Sequence, residues 1–205
     1  MGFYTERVLP RITDRACASD QVRPLRRRVC AGTRGRVVEI GFGSGLNLPY
    51  YPEAVTQVDA VEPSDVAWSL AERRRGAATV PVRRSGRDAQ SLPYADDTFD
   101  AAVSTWVLCS VPRVDLALQE LRRVLEPGGR LHFVEHGLAP DESVRRWQRR
   151  LEPIQKRIAG GCHLTRSVVD LLVAAGFEVG EVDAFYEEGT PKVLGADVLG
   201  VAVSP

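Results

Sequence analysis

Short apolar runs alternate with helix-patterned stretches through most of this chain. Residues 36–40, 57–61, 80–84, 99–104 and 130–135 are short apolar runs bounded by polar or glycine-rich segments, and each reads as a strand. Between the second and third, a helix is predicted to start near Ser64, a good cap, with Asp65 favourably charged in its first turn and Gly76 at its end. Between the fourth and fifth, Leu116, Leu118, Leu121, Val124 and Leu125 form a mostly one-sided stripe that Pro127-Gly128-Gly129 must terminate. This alternation predicts an α/β fold, a parallel sheet with crossover helices. An Arg-rich helical region precedes the first strand. Residues 138–164 are charged, carry Trp147 and Ile154, and are interrupted by Pro140, Pro153 and Gly160-Gly161, which predicts an inserted helical cap. A last helix, about 165–175, stops at Gly176. Residues 177–186 and 196–203 then read as two strands, separated by Gly189-Thr190-Pro191, that can pair antiparallel at the sheet edge.

The first strand runs into Gly41-Phe42-Gly43-Ser44-Gly45. Alternate glycines let the chain turn without Cβ clashes and bring main-chain N–H groups against a ligand, and a following helix start adds its positive dipole end. An anionic group on a nucleotide-like cofactor suits such a loop. Seventeen residues past Gly45, Glu62 closes the second strand, placed to accept hydrogen bonds from a ribose. A dinucleotide fingerprint puts its third glycine where Leu46 stands, so the spacing here is GxGxG, not GxGxxG.

Composition narrows the partners. At 205 residues the chain fits one domain, 1–205, with no length left for a separate dehydrogenase substrate domain. Lys+Arg and Asp+Glu both total 27, so no global positive field favours nucleic acid, and a small molecule is the expected partner. The runs Arg26-Arg27-Arg28, Arg73-Arg74-Arg75 and Arg145-Arg146 with Arg149-Arg150 read as solvated helix faces, the third leaving a peripheral membrane contact open. Lys156 and Lys192 are the sole lysines, an arginine bias that hints at a high-GC bacterial genome. Cys17, Cys30, Cys109 and Cys162 show no paired spacing, no CxxC and no secretory leader. A reduced cytoplasmic setting without a metal site is therefore expected, with Cys109 and Cys162 as buried small hydrophobes rather than nucleophiles. No window approaches eighteen uninterrupted apolar residues, so no transmembrane helix is expected.

Five segments in order then carry a resemblance. They are Val37-Val38-Glu39-Ile40 with the glycine loop, Glu62, Asp88-Ala89, Leu92-Pro93-Tyr94-Ala95-Asp96-Asp97-Thr98-Phe99-Asp100, and Leu121-Arg122-Arg123-Val124-Leu125-Glu126-Pro127-Gly128-Gly129. Over roughly residues 37–135 the chain resembles the class I S-adenosylmethionine-dependent methyltransferase superfamily. The resemblance implies a Rossmann-like, seven-stranded, mostly parallel sheet with an antiparallel edge, in a three-layer sandwich. It implies S-adenosylmethionine as cofactor. Backbone groups of Gly41, Gly43 and Gly45 would hold its amino-acid end, Glu62 both ribose hydroxyls, Asp88 and the Ala89 N–H the adenine. Glu39 and Thr105 join these cofactor-binding candidates, and Thr105 and Trp106, ending the fourth strand, would line the methyl-donor cleft. Thr105-Trp106-Val107-Leu108-Cys109-Ser110-Val111, Glu135-His136, Trp147 and Gly161-Cys162-His163-Leu164-Thr165-Arg166 are similar to a narrower branch, the mammalian methyltransferase-like thiol S-methyltransferases and bacterial relatives. Those mammalian members carry an N-terminal anchoring segment that has no counterpart here. Phe42 and Ser44 replace the frequent Cys and Thr of the family loop, at variable places.

The implied reaction is methyl transfer to sulfur, nitrogen or oxygen of a small-molecule acceptor, with a thiol slightly favoured. An in-line displacement at a carbon on positive sulfur asks the protein mainly to align the partners and exclude water. A thiol with a pKa of about 8.5 is partly ionised near neutrality, and a phenol, at about 10, gains more from a base. His136, ending the fifth strand, and His163, beside the cap, are the candidate catalytic bases, each with a purely structural alternative. His132 sits mid-strand and is expected to be packed, and Tyr4 is expected to close over the cofactor. Asp88 could instead cap a turn, and Trp106 could be plain core. Two other functions stay open: a cofactor- or partner-binding module without catalysis, and an NAD-dependent oxidoreductase, which Leu46 disfavours.

Overall fold

The computed structural model describes residues 3–205. Seven strands form one sheet in the order β3-β2-β1-β4-β5-β7-β6. They are β1 Gly35–Ile40, β2 Val55–Val61, β3 Val82–Gly86, β4 Phe99–Thr105, β5 Leu125–His136, β6 Glu178–Tyr186 and β7 Ala196–Val203. The first five pair in parallel, and β7 runs antiparallel between β5 and the outermost β6, so the final two strands make the expected reversed edge. Because β1 pairs with β2 on one side and β4 on the other, the strand order reverses there, and the carboxyl ends of β1 and β4 flank a crevice suited to a ligand.

Successive strand residues point to opposite faces, and helices cover both. Val38, Ile40 and Phe133 pack with Leu118 and Leu121 of α5 (Val114–Val124) and Leu172 of α7 (Val168–Ala174). On the other face Val37, Val58 and Val103 meet Ala71, which joins α3 (Asp65–Leu70) to α4 (Glu72–Ala77), while Val29 and Cys30 of α2 (Arg23–Cys30) pack on Val134. Two helices lie toward the carboxyl end: α1 (Leu9–Cys17) and α6 (Glu142–Ile158).

Local chemistry explains where the observed elements depart from the predicted ones. Ser64 caps α3 through Oγ, which accepts from the Ala67 N–H at 3.1 Å, but Gly76 lies inside α4 and not at its end. On α5 the inward stripe includes Ala117, and Leu116 faces solvent. Strand β5 begins at Leu125, opposite Phe99, slips register through the Gly128 bulge (φ 82°), and pairs regularly from Arg130. The Gly128 N–H donates to the Ser204 carbonyl at 2.8 Å, so the expected turn also fastens the C-terminal segment. Helix α6, within the span expected for the cap, runs through Pro153 and leaves Trp147, Ile154 and Ile158 exposed. Their spacings of seven and four align them on one side, among the arginines of the third basic run. The first basic run departs most: Arg27 and Arg28 are solvated, but Arg26 is buried.

Candidate cofactor and acceptor site

The site begins with three glycines that bend the chain out of β1. Gly41, Gly43 and Gly45 have φ of 60°, 58° and 74°, a region where a side chain is strained. A Cβ on Gly41 would stand 2.2 Å from the Val107 side chain, whereas one on Gly43 would meet only the Gly41 carbonyl, at 3.7 Å. Gly41 is therefore needed for the loop to pack on the segment after β4, and Gly43 for its backbone angle. The Gly43 N–H donates to Glu62 Oε2 and the Ser64 N–H to Oε1, both at 2.7 Å. Glu62 is thus clamped at the end of β2. Burial raises its carboxyl pKa, against the pull of those two N–H bonds. Each oxygen still has a free lone pair, which fits the bonding needs of two ribose hydroxyls.

A cavity of about 220 Å³ lies against this loop, lined by Gly41, Gly43, Glu62, Thr105, Trp106 and, opposite them, residues of α1 including Asp14 and Cys17. The volume is below the roughly 300 Å³ at which small-molecule sites begin. Helix α1 forms the closing wall, latched by Asp14 Oδ1, which accepts from Ser44 Oγ at 2.6 Å and from Arg74 at 2.9 Å. Admitting a whole nucleoside-sized ligand requires this wall to swing out.

The other cofactor candidates fall into two groups. Thr105 is on the cavity, its Oγ1 accepting from Asn47 Nδ2 at 3.2 Å. Glu39 is buried beneath it, accepting from Asn47 Nδ2 at 2.8 Å and the Tyr51 hydroxyl at 2.6 Å, and burial pushes its carboxyl up to about 7. Its contacts tie β1 to the following turn, and it does not line the cavity. Asp88 is exposed, with Oδ1 accepting from both the backbone and side-chain N–H of Gln90 at 2.9 Å, a turn-capping arrangement. Ala89 packs against the core, and neither residue lines the cavity. Arg26 was missed as a site residue. It donates to Asn47 Oδ1 at 2.8 Å and to the Cys17 carbonyl at 3.2 Å, beside Glu39, and burial lowers its pKa. The helical spacing of Val22, Leu25, Val29 and Cys30 places position 26 on the inward face, and that was the signal available for it.

On the acceptor side the backbone turns sharply at Trp106, a non-glycine residue with φ of 55°. Its N–H donates to the Val134 carbonyl at 2.8 Å, its Nε1 to Asp197 Oδ2 at 3.3 Å, and Arg26 stacks 5.0 Å from its ring. Glu135, another residue not singled out for this role, accepts from Ser104 Oγ at 2.6 Å and from the N–H groups of Val107 (3.1 Å) and Cys109 (3.4 Å), and burial pushes it up to about 7.

His136 stands next to this turn, its ring centre 6.3 Å from that of Trp106. Its Nδ1 lies 4.0 Å from Cys109 Sγ and 3.9 Å from Cys162 Sγ. Both cysteines are buried, as expected, but the fold brings them beside an imidazole that is distant from each of them along the chain. Through its hydrogen bond with Cys109, and then the neighbouring His136, the Cys162 thiol is drawn down to about 5, and Cys109 is pushed up. Burial alone would lower His136, but its bond to Cys162 and the charge of Asp197 raise it. His163 Nδ1 is 3.1 Å from Glu152 Oε1, and Glu152 also accepts from the Thr165 N–H at 2.9 Å, so His163 fastens the loop after α6. His132 is packed as expected, lowered by burial to about 4. Tyr4 does not line the cavity. Its hydroxyl donates to the Ile158 carbonyl at 2.8 Å instead.

With this geometry in view, residues 38–133 match the methyltransferase domain family. Thiol S-methyltransferase TMT1B of Rattus norvegicus is 37% identical over 182 residues, covering 84% of this chain and 72% of that protein. The chain belongs to the class I S-adenosylmethionine-dependent methyltransferase superfamily. As a member it is a methyltransferase that uses S-adenosylmethionine as methyl donor. Phosphatidylethanolamine N-methyltransferase of Cereibacter sphaeroides is 33% identical over 117 residues, 54% of this chain and 57% of that protein. An S-adenosylmethionine-dependent methyltransferase of Mesorhizobium loti shares the fold at a TM-score of 0.65 and 20% identity, over 90% of this chain and 98% of that one.

Glu39 generates a pH prediction for this methyltransferase. Its folded pKa of about 7 exceeds the ordinary 4.5, so the folded state holds a proton that the unfolded state releases. The stability contributed is fully present below about pH 4.5 and is lost as pH rises through 7, on the order of 3 kcal/mol. Chemical denaturation at pH 5 and pH 8 should show a fall in stability that is shallower in Glu39→Gln. Identical slopes in the two proteins would refute the assignment.

Proposed function

We propose that this methyltransferase transfers its methyl group to the sulfur of a small-molecule thiol. The observation that carries the reading is the chemistry of the cavity wall. Its two carboxylates, Asp14 and Glu62, are both engaged, and no histidine lines it. Such a cleft aligns and desolvates, with Asp14 committed to the α1 latch and Glu62 to the donor's ribose in this reading, which suits an acceptor that ionises unaided. The similarity to a protein named thiol S-methyltransferase supports the same acceptor.

The donor supplies a methyl carbon on positive sulfur. In this reading the Gly41, Gly43 and Gly45 backbone and Glu62 hold it, and Thr105 and Trp106 flank its reactive end. Asp88 and the Ala89 N–H, which follow β3 at the same sheet edge, take the adenine. Helix α1 excludes water once latched, and the helical cap of residues 138–164 shapes acceptor entry. All four cysteines are free, which supports a reducing, cytoplasmic setting. No helix among the described residues is long and apolar enough to cross a membrane. The exposed Trp147, Ile154 and Ile158, set among Arg145, Arg146, Arg149 and Arg150, support peripheral contact with an anionic membrane surface.

Two measurements check this reading. Labelled methyl donor offered with thiols, amines and phenols should mark the thiols, at a rate that climbs with pH toward the acceptor's own pKa. Turnover of amines or phenols with no thiol labelled would overturn it. Co-sedimentation with anionic vesicles at low salt should retain the wild-type chain and release Trp147→Ala/Ile154→Ala, whereas equal pelleting of the two proteins would remove the membrane role.

A further inference from the structure

Cys109, His136 and Cys162 come from three separate elements: the loop after β4, the end of β5, and the loop after α6. One ligand atom from each lies within 4.8 Å of the other two. Both cysteines are buried and neither forms a disulfide. The loops that carry them are fixed to each other, because the His163 N–H donates to the Cys109 carbonyl at 2.8 Å and Arg166 donates to the Leu108 carbonyl. The two cysteine-bearing loops are therefore held together by one backbone bond and one side-chain-to-backbone bond.

The spacing is within reach of a metal site. A tetrahedral zinc with bonds of about 2.3 Å to sulfur and 2.0–2.1 Å to nitrogen places its ligands about 3.6 Å apart for sulfur and nitrogen and about 3.8 Å for two sulfurs. The observed sulfur–nitrogen separations, 4.0 and 3.9 Å, need to contract by less than half an ångström. A second observation concerns the far side of the imidazole. Nε2 lies 3.7 Å from Asp197 Oδ1, an oxygen that is buried without a hydrogen-bond partner, while Oδ2 is occupied by Trp106. A carboxylate behind the non-ligating nitrogen is the arrangement that orients metal-bound histidines.

We propose that Cys109, His136 and Cys162 bind one zinc ion, with Asp197 accepting from His136 Nε2–H. On binding, each cysteine forms a sulfur–zinc bond as its thiolate and His136 ligates through a deprotonated Nδ1, so that any proton still held on either sulfur or on Nδ1 passes to solvent. The two thiolates then cancel the charge of the ion, so the buried unit is nearly neutral. Soft sulfur ligands favour zinc or copper(I) over hard cations, and two sulfurs with one imidazole is a known zinc set that leaves a fourth position for water or an exogenous ligand. The site is distinct from the cofactor cavity, and Trp106 touches both: it lines the cavity and bonds Asp197.

The test uses the tag-free full chain, reduced, stripped with chelator and titrated anaerobically with cobalt(II). One equivalent should be taken up, with tetrahedral visible bands and thiolate-to-cobalt charge transfer that one equivalent of zinc abolishes. Cys109→Ser/Cys162→Ser should lose the charge transfer, and Cys30→Ala should keep it. Should the double variant fail to fold, Asp197→Asn supplies the readout, with affinity lowered about 10- to 100-fold. The proposal is overturned by a folded, reduced wild type that takes up no equivalent of metal, or by charge transfer that survives in the double variant. It is equally overturned by two thiols lost to a disulfide in air while no metal binds. Because metal uptake is read without any methyl transfer, these outcomes are independent of the acceptor's identity.

Discussion

The site depends on a row of buried carboxylates at one edge of the sheet. Glu39, Glu62 and Glu135 stand at the carboxyl ends of β1, β2 and β5, and Asp197 at the start of β7 reaches the same edge because that strand is reversed. All four are at most 5% exposed. A buried carboxylate is costly unless its oxygens are bonded, and here, Asp197 Oδ1 apart, the bonds come from the loops that must be held. Glu62 holds the glycine loop through Gly43, Glu135 holds the segment after β4 through Val107 and Cys109, Glu39 holds Asn47 and Tyr51, and Asp197 holds the Trp106 ring.

This arrangement separates what is rigid from what can move. The glycine loop and the Trp106 turn are pinned from beneath by bonds to buried carboxylates. Helix α1 closes the cavity from outside through partly exposed polar contacts, of which the Asp14–Arg74 pair is one. Exposed pairs of that kind contribute little to stability. A lid that opens for the cofactor and a floor that does not are both consistent with displacement chemistry governed by alignment and exclusion of water.

Much of this was legible in the chain. Short apolar runs separated by helical stripes gave the parallel sheet, and GxGxG marked the tight glycine loop after β1, because both signals are local and set by backbone geometry. Less legible were features made by packing between distant segments. Arg26 looked like one of three solvated arginines, Glu135 like a strand end, and Cys109 and Cys162 like isolated hydrophobes. Pro153 looked like a break, yet α6 continues through it, and Tyr4 was assigned to the cofactor but bonds the end of α6. Asp88 shows the opposite limit. The resemblance gave it a role at the adenine, while its carboxylate caps a local turn outside the closed cavity.

The central claim is that Glu62, clamped by Gly43 and Ser64, is the anchor of the methyl donor. Calorimetric titration of S-adenosylmethionine into the wild type and Glu62→Gln measures it directly. Binding near micromolar affinity is predicted for the wild type, weakened about 10- to 100-fold in the variant, as expected for losing charge-assisted bonds to a ligand. Equal affinity in a variant that melts like the wild type would contradict the account, as would a folded wild type that binds no S-adenosylmethionine.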